Sequence, residues 1–313
     1  MTAAPLANGS VSLRLYPCPG TPVDQIAELR AETLLGDAAG YDGVMVSEHH
    51  AGFPGYLPNP IQLATFLLAE GGTGWVAPCP LLLPLKARAL IVEELAWLAA
   101  AYPGRVGAGF AAGALPVDFE LAEVPFDEVV ERFKDALPWT VARRRRPLAA
   151  DAAVQRCAEH PVPMVVAAQS PAACRRAAAL GCGVLYDSLQ NEEVSTRLSD
   201  AYRDAGGTGP TLLIRRVWIG EPPAAAIEAQ MKHYRSYAPD RALKNWGDGD
   251  STIVGATPAE AAEKLVEVLH DSHCDTVNVR VQVAGLTPDD VRAQLELHAD
   301  GFVDLVREGL AAA

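Results

Sequence analysis

Glu48, His49 and His50 stand consecutively within residues 41–60, YDGVMVSEHHAGFPGYLPNP. A carboxylate beside two imidazoles is a proton-transfer set. An imidazole gains or loses a proton near neutral pH, and a neighbouring acid orients it. The same residues also suit a plainer arrangement, with one histidine buried and hydrogen-bonded and the other solvated. Three other stretches carry candidate chemistry. Residues 75–83, WVAPCPLLL, place Pro78, Cys79 and Pro80 in an apolar run, where prolines do not belong in an ordinary central strand. At Gln169, Ser170 and Ala173 a strand passes into a helix beginning at Pro171. The free N–H groups of such a turn favour an anion, Arg175 and Arg176 lie one turn further in, and Ser170 serves equally well as a simple helix cap. Finally, GAGFAAG at residues 107–113, with Phe110 at its centre, allows close backbone approach by a ligand or by another strand.

These residues need elements to hold them. Residues 11–16 alternate apolar and polar side chains and read as a first strand. Thr21-Pro22-Val23-Asp24 starts a helix. The apolar run Val44, Met45, Val46 predicts a second strand with Glu48, His49 and His50 at its end. A helix over about 61–70, the strand at 75–83, a helix over 88–101, a strand at 104–110 and an amphipathic helix over 126–141 follow. Strands at 163–169, 183–186, 212–219 and 276–283 alternate with helices over 171–180, 192–205 and 223–237, and with helices capped at Thr257 and Thr287, the last taken as the final helix. Residues 241–251 read as an inserted polar loop. The arginine run at 143–146 reads as a solvated helix end whose cations complement the helix dipole. About eight strands, each followed by a helix and with no break in composition, predict one α/β domain over residues 1–313. Its expected form is a closed (β/α)8 barrel with inserted loops. No GxGxxG follows the first strand, which argues against a dinucleotide fold. In a parallel barrel ligands bind beyond the carboxyl ends of the strands, where the Glu48–His50 set falls.

The chain has 313 residues and a net charge of −13. Nucleic-acid binding depends on neutralising phosphates, so no nucleic-acid partner is expected. No uninterrupted apolar run is long enough to span a bilayer, and residues 1–10 do not read as a signal peptide. Six scattered cysteines lack the spacing of a zinc or redox site, so reduced thiols, no metal and a cytoplasmic location are expected.

The segment SEHH, the loop ending GYLPNP, PLLLPL, EELAWLAAAYPGRVGAGF and residues 161–188 occur in an order that resembles the bacterial-luciferase-like flavin-dependent monooxygenases. Residues 253–283 continue the similarity more weakly. The resemblance implies an FMN-dependent monooxygenase that takes reduced flavin from a separate reductase, activates O2 and oxidises a small organic substrate. It implies His49, then His50, at the flavin, with Glu48 orienting a neighbour. It implies a cis peptide at Cys79–Pro80, with residues 78–81 against the flavin ring. It also implies the flavin phosphate at Gln169, Ser170 and Ala173. A homodimer through helices 61–68 and 91–101 is a further implication. The sequence departs from the pattern at Phe110 and Ala111, where an Arg-Gly that contacts the phosphate would be expected. Two alternatives stand beside this reading: an F420-dependent oxidoreductase on the same scaffold, and a non-catalytic partner subunit or ligand carrier.

Overall fold

The computed structural model describes residues 3–143, 150–238, 240–247 and 251–312. Its strands are β1 (Val11–Leu15), β2 (Gly43–Val46), β3 (Trp75–Pro78), β4 (Leu81–Leu82) and β5 (Ala108–Ala111), then β6 (Met164–Ala167), β7 (Gly183–Tyr186), β8 (Thr211–Ile219), β9 (Ile253–Gly255) and β10 (Thr276–Arg280). All pair in parallel, in the order β3-β2-β1-β10-β8-β7-β6-β5-β4, with β9 added outside on β8.

β3 and β4 are two parts of one barrel strand, separated by a cis Cys79–Pro80 bond as the sequence implied. β3 pairs with β2 and β4 with β5, so this broken strand joins the two ends of the sheet. Val76 completes the seam: its N–H donates to the Arg105 carbonyl at 2.9 Å, and its carbonyl accepts from Gly107 at 3.2 Å. Counting β3 and β4 once and leaving β9 aside, eight parallel strands close into the expected α/β barrel.

The helices form where their caps begin them. Thr21, Asn59, Ser170, Thr257 and Thr287 each accept a backbone N–H and are each followed by proline at the first helical position. The main core lies between strands and helices. A second cluster contains Met45, Trp75, Ala77, Cys79, Val165, Leu185, Leu212 and Ile214 and fills the barrel, with Leu6 against it. Alternation therefore has the opposite sense to that of a surface sheet. On β1, Val11, Leu13 and Leu15 face the helices, while Ser12 and Arg14 point inward at 0% and 2% exposure.

Some elements differ from expectation. The chain does not end with the helix capped by Thr287. That helix stops at Ala299, Gly301 turns the chain at φ 91°, and a further helix covers Phe302–Ala311. Short helices at Val117–Glu120 and Ala152–Arg156 and the strand β9 fall in stretches without a strong periodic pattern. The loop expected at 241–251 begins inside a short helix, Asp240–Leu243. Of the arginine run, Arg143 ends the helix Val129–Arg143, and residues 144–146 lie outside the described residues. All six cysteines are free and buried. Among the described residues no helix is long and apolar enough to cross a membrane.

Candidate active site

β2 delivers Glu48, His49 and His50 to the carboxyl end of the barrel. The chain then folds back, and Glu48 bridges to Leu57. Gly52 and Gly55 take φ values of 71° and 80°, which lets this loop turn tightly over the barrel mouth.

Two histidine–carboxylate pairs result. His49 Nδ1 lies 2.8 Å from Asp118 Oδ2, and His50 Nε2 lies 3.0 Å from Glu48 Oε1. Asp118 also accepts the His50 backbone N–H through Oδ1 at 2.8 Å. Glu48 Oε2 accepts the Leu82 N–H at 2.6 Å, tying the end of β2 to β4 just past Cys79–Pro80. The hydrogen bond from His50 to the Glu48 carboxylate raises the His50 pKa above its ordinary value, against the opposing effect of burial. A cavity of about 280 Å³ opens beside the cluster, lined in part by Glu48, His50, Asn59, Leu82, Lys86 and Asp118. It includes neither Cys79 nor Ser170. A larger groove of about 690 Å³ runs between the helices Pro171–Ala179 and Glu192–Asp204 and shares no residue with this site.

Arg14 occupies the floor of the mouth. Its Nε donates to Asn278 Oδ1 at 2.6 Å, and its Nη1 donates to Ser47 Oγ at 2.7 Å and to the Cys79 carbonyl at 3.2 Å. Its Nη2 is buried and has no hydrogen-bond partner among the described residues. Cys79 is fully buried, and burial pushes its thiol up to about 12 despite Arg14, so it stays protonated and inert. Aromatic rings roof the mouth. Tyr56 meets His49 edge-on with centroids 4.4 Å apart and meets Tyr16 at 5.0 Å. Phe53 reaches across to Tyr237 on the helix Ala224–Tyr237 at 5.2 Å.

The other sequence-chosen residues are placed as follows. Pro78 ends β3, and Pro80 follows Cys79 across the cis bond before β4. The Phe110 side chain is wholly buried in the core between strands and helices, so only its backbone is left to a ligand. Ser170 is exposed, and its hydroxyl accepts the Ala173 N–H at 3.3 Å, the capping arrangement. Gln169 accepts from Asn245 Nδ2 at 3.2 Å through its side-chain oxygen. Parallel strands bring this turn to the same end of the barrel as β2, and it stands on β6, across from β2 in strand order.

Asp118, Arg14 and Arg280 were not singled out from the sequence. Asp118 sits in an irregular stretch 69 residues from its partner His49, and nothing local distinguishes it. Arg14 and Arg280 each follow an apolar residue in a strand; the signal was their position on the polar side of strands that a barrel turns inward.

Residues 10–304 match the family described as luciferase-like monooxygenase. No curated protein matches the chain. Among solved structures, the monooxygenase RslO1 from Streptomyces bottropensis is 21% identical with a TM-score of 0.74, over 93% of this chain and 98% of that one. The oxygenating constituent of 3,6-diketocamphane monooxygenase from Pseudomonas putida, in complex with FMN, is 16% identical with a TM-score of 0.72, over 95% and 98%. An F420-dependent secondary alcohol dehydrogenase is 12% identical with a TM-score of 0.69, over 92% and 97%. At these identities the likeness is one of fold.

Proposed function

The chain belongs to the luciferase-like monooxygenase family, and from that premise we propose that it is a flavin-dependent monooxygenase using reduced FMN and O2 to oxidise a small organic substrate. The observation that carries this reading is the joining of His49 to Asp118 and of His50 to Glu48 in one segment at the end of a barrel strand. Such a set holds and moves a proton beside a reacting centre.

The inner wall is closely packed beside the proposed ring face. Gly109 lets Cys79 Sγ pack directly on the β5 backbone, since a Cβ there would stand 2.0 Å from it. We assign the ring face to Pro78, Cys79 and Pro80 with the backbone at Phe110, and the phosphate to Gln169, Ser170 and Ala173. Without the arginine expected at 110–111, the phosphate loses a charge-assisted hydrogen bond, a loss of about 1.5–3 kcal/mol. A weakly held, diffusible co-substrate supplied by a separate reductase accords with that loss. Bound flavin would supply the electrons and the activation of O2. The chain supplies the rest. With His49 Nδ1–H donating to Asp118, Nε2 is left to accept or return a proton. Glu48 fixes His50, and the rings of Phe53, Tyr56 and Tyr237 keep water from the mouth. We place a homodimer contact on the helices Pro60–Ala69 and Arg88–Ala101, which expose Phe66, Leu90 and Trp97.

The test is the rate at which O2 reoxidises reduced FMN with and without the protein. We expect saturating wild-type protein to change that rate and His49→Ala to remove most of the change while folding normally. A rate identical with and without wild-type protein contradicts the proposal.

A further inference from the structure

Three arginines stand side by side at the carboxyl end of the barrel. Arg14 on β1 pairs in register with Arg280 on β10, and Arg280 pairs with Arg216 on β8. Residues so paired lie about 4.8 Å apart along the hydrogen-bonding direction and point to the same face. Each of the three is 2% exposed. Burying a guanidinium is costly unless its charge and its donors are met.

Among the described residues, the hydrogen-bond partners of Arg14 and Arg280 are all neutral. The three bonds of Arg14 go to Asn278, Ser47 and the Cys79 carbonyl. Arg280 gives Nε to the Gln282 carbonyl at 3.0 Å and Nη2 to the Tyr234 hydroxyl at 3.0 Å, and its guanidinium lies 4.4 Å from the Tyr16 ring centroid. Arg216 binds Gln230 and Thr252. Among the described residues no carboxylate is hydrogen-bonded to Arg14 or Arg280; Asp187, whose own pKa is raised by burial, feels Arg280 only at a distance. The excess positive potential is visible on Tyr16. Burial is the largest effect and pushes its phenol up, yet Arg280, Arg14 and hydrogen bonds with Tyr56 and Ser47 together outweigh it and the net shift is downward.

We propose that the Arg14–Arg280 pair is an anion subsite of the substrate pocket, and that the substrate is an aromatic acid bound through its carboxylate or phenolate. This rests on the reading of the barrel mouth as the active site. An oxyanion there takes the free Nη2–H of Arg14 and the donors that Arg280 has left, in charge-assisted hydrogen bonds. The aromatic body of the acid lies against Tyr16, Tyr56 and Phe53, whose rings already pack with one another in edge-on and tilted contacts. Reduced flavin also presents electron-rich oxygens and a phosphate, so the shared chemistry is an oxygen anion and the experiment must separate the two sources.

The experiment is calorimetric titration of the full chain with benzoate, with neutral benzyl alcohol and with FMN. It uses wild type, Arg14→Met and Arg280→Met, with each variant's thermal unfolding recorded first. Arg14→Lys, which keeps the charge and loses the fork, replaces Arg14→Met if the latter does not fold. We expect benzoate to bind wild type at least about tenfold more tightly than benzyl alcohol does, and to weaken by about tenfold or more in each variant. FMN affinity should change less than about threefold, a shift well below one charge-assisted bond. Absence of benzoate binding, equal binding of benzyl alcohol, or benzoate affinity unchanged in the variants overturns the proposal. So does a loss of FMN affinity equal to the loss for benzoate, which would give the pair to the cofactor. Arginine-dependent benzoate binding in a chain that binds no FMN would uphold the subsite while sinking the flavin reading.

Discussion

Asp118 holds His49 and His50 at once, with Oδ2 2.8 Å from the His49 ring nitrogen and Oδ1 accepting the His50 backbone N–H at 2.8 Å. One carboxylate from the short helix Val117–Glu120 after β5 thereby fixes a segment delivered by β2. Its side chain is wholly buried, and removing it leaves two donors unmet. Asp118→Ala is expected to destabilise the fold by about 2–4 kcal/mol in urea unfolding. Asp118→Asn keeps an acceptor and should cost less stability, yet lower the protein's effect on flavin reoxidation by about tenfold or more, because the His49 tautomer is no longer fixed. Equal losses of stability and activity in the two variants would make Asp118 purely structural.

His50 makes stability depend on pH. Its folded pKa is raised, chiefly by the hydrogen bond it gives to Glu48 and against burial. The sign follows from linkage. The protonated form is favoured in the folded state, so the pair's contribution is full below the unfolded pKa of about 6.5 and is lost as pH rises through the folded value. The difference in Tm between wild type and His50→Gln should therefore shrink from pH 5.5 to pH 8.5, a range of about one to two units either side of that value. A difference constant with pH would contradict the pairing.

His298 behaves in the opposite sense. Burial holds its pKa down to about 3, and its Nδ1 lies 2.6 Å from the Tyr41 hydroxyl. The unfolded chain takes up a proton that the folded chain does not, so the stability this neutral histidine contributes is present above about pH 6.5 and falls as pH drops toward the folded value. Acid unfolding followed by circular dichroism should show His298→Gln losing less stability than wild type between neutral pH and about pH 4, the window between those two values. An identical slope in both proteins would count against a neutral buried His298.

At Gly109 an added Cβ would meet Cys79 Sγ at 2.0 Å and Cys79 Cα at 3.2 Å. The nearer contact is a side chain in a filled barrel and the farther one is backbone, so neither yields freely. Gly109→Ala should cost about 1–3 kcal/mol and weaken FMN binding in parallel. Wild-type stability and FMN affinity in this variant would remove Gly109 and Cys79 from the ring face.

Ser170 separates its two roles by two measurements. Loss of the cap seen in its bond from Ala173 should lower stability by about 1 kcal/mol in Ser170→Ala without ligand. If the turn also holds the phosphate, FMN affinity should fall by about fivefold or more beyond that, the scale of one lost hydrogen bond. Unchanged FMN affinity would leave Ser170 a cap alone.

Much of this was readable along the chain because it is local. Thr21, Ser170, Thr257 and Thr287 start helices through contacts three residues away, and each does so here. The parallel barrel followed from repeated strand–helix alternation, and the Cys79–Pro80 bend from an X–Pro bond in the implied position. What stayed hidden depends on closure. Arg14 and Arg280 are 266 residues apart in sequence yet adjacent in the sheet, and only a closed barrel turns the polar side of both strands inward. Asp118 reaches His49 only once β5 has joined β4. The helix Phe302–Ala311 was missed because Gly301 was not taken as the turn between two helices.

The proposed function requires a reduced flavin seated in the barrel mouth. Anaerobic titration of the protein with reduced FMN, run in parallel with reduced F420, tests this most directly. The prediction is saturable binding of one reduced FMN per chain, weakened by Gly109→Ala, with F420 bound more weakly. Failure of reduced FMN to saturate the protein, or tighter binding of F420, would contradict it.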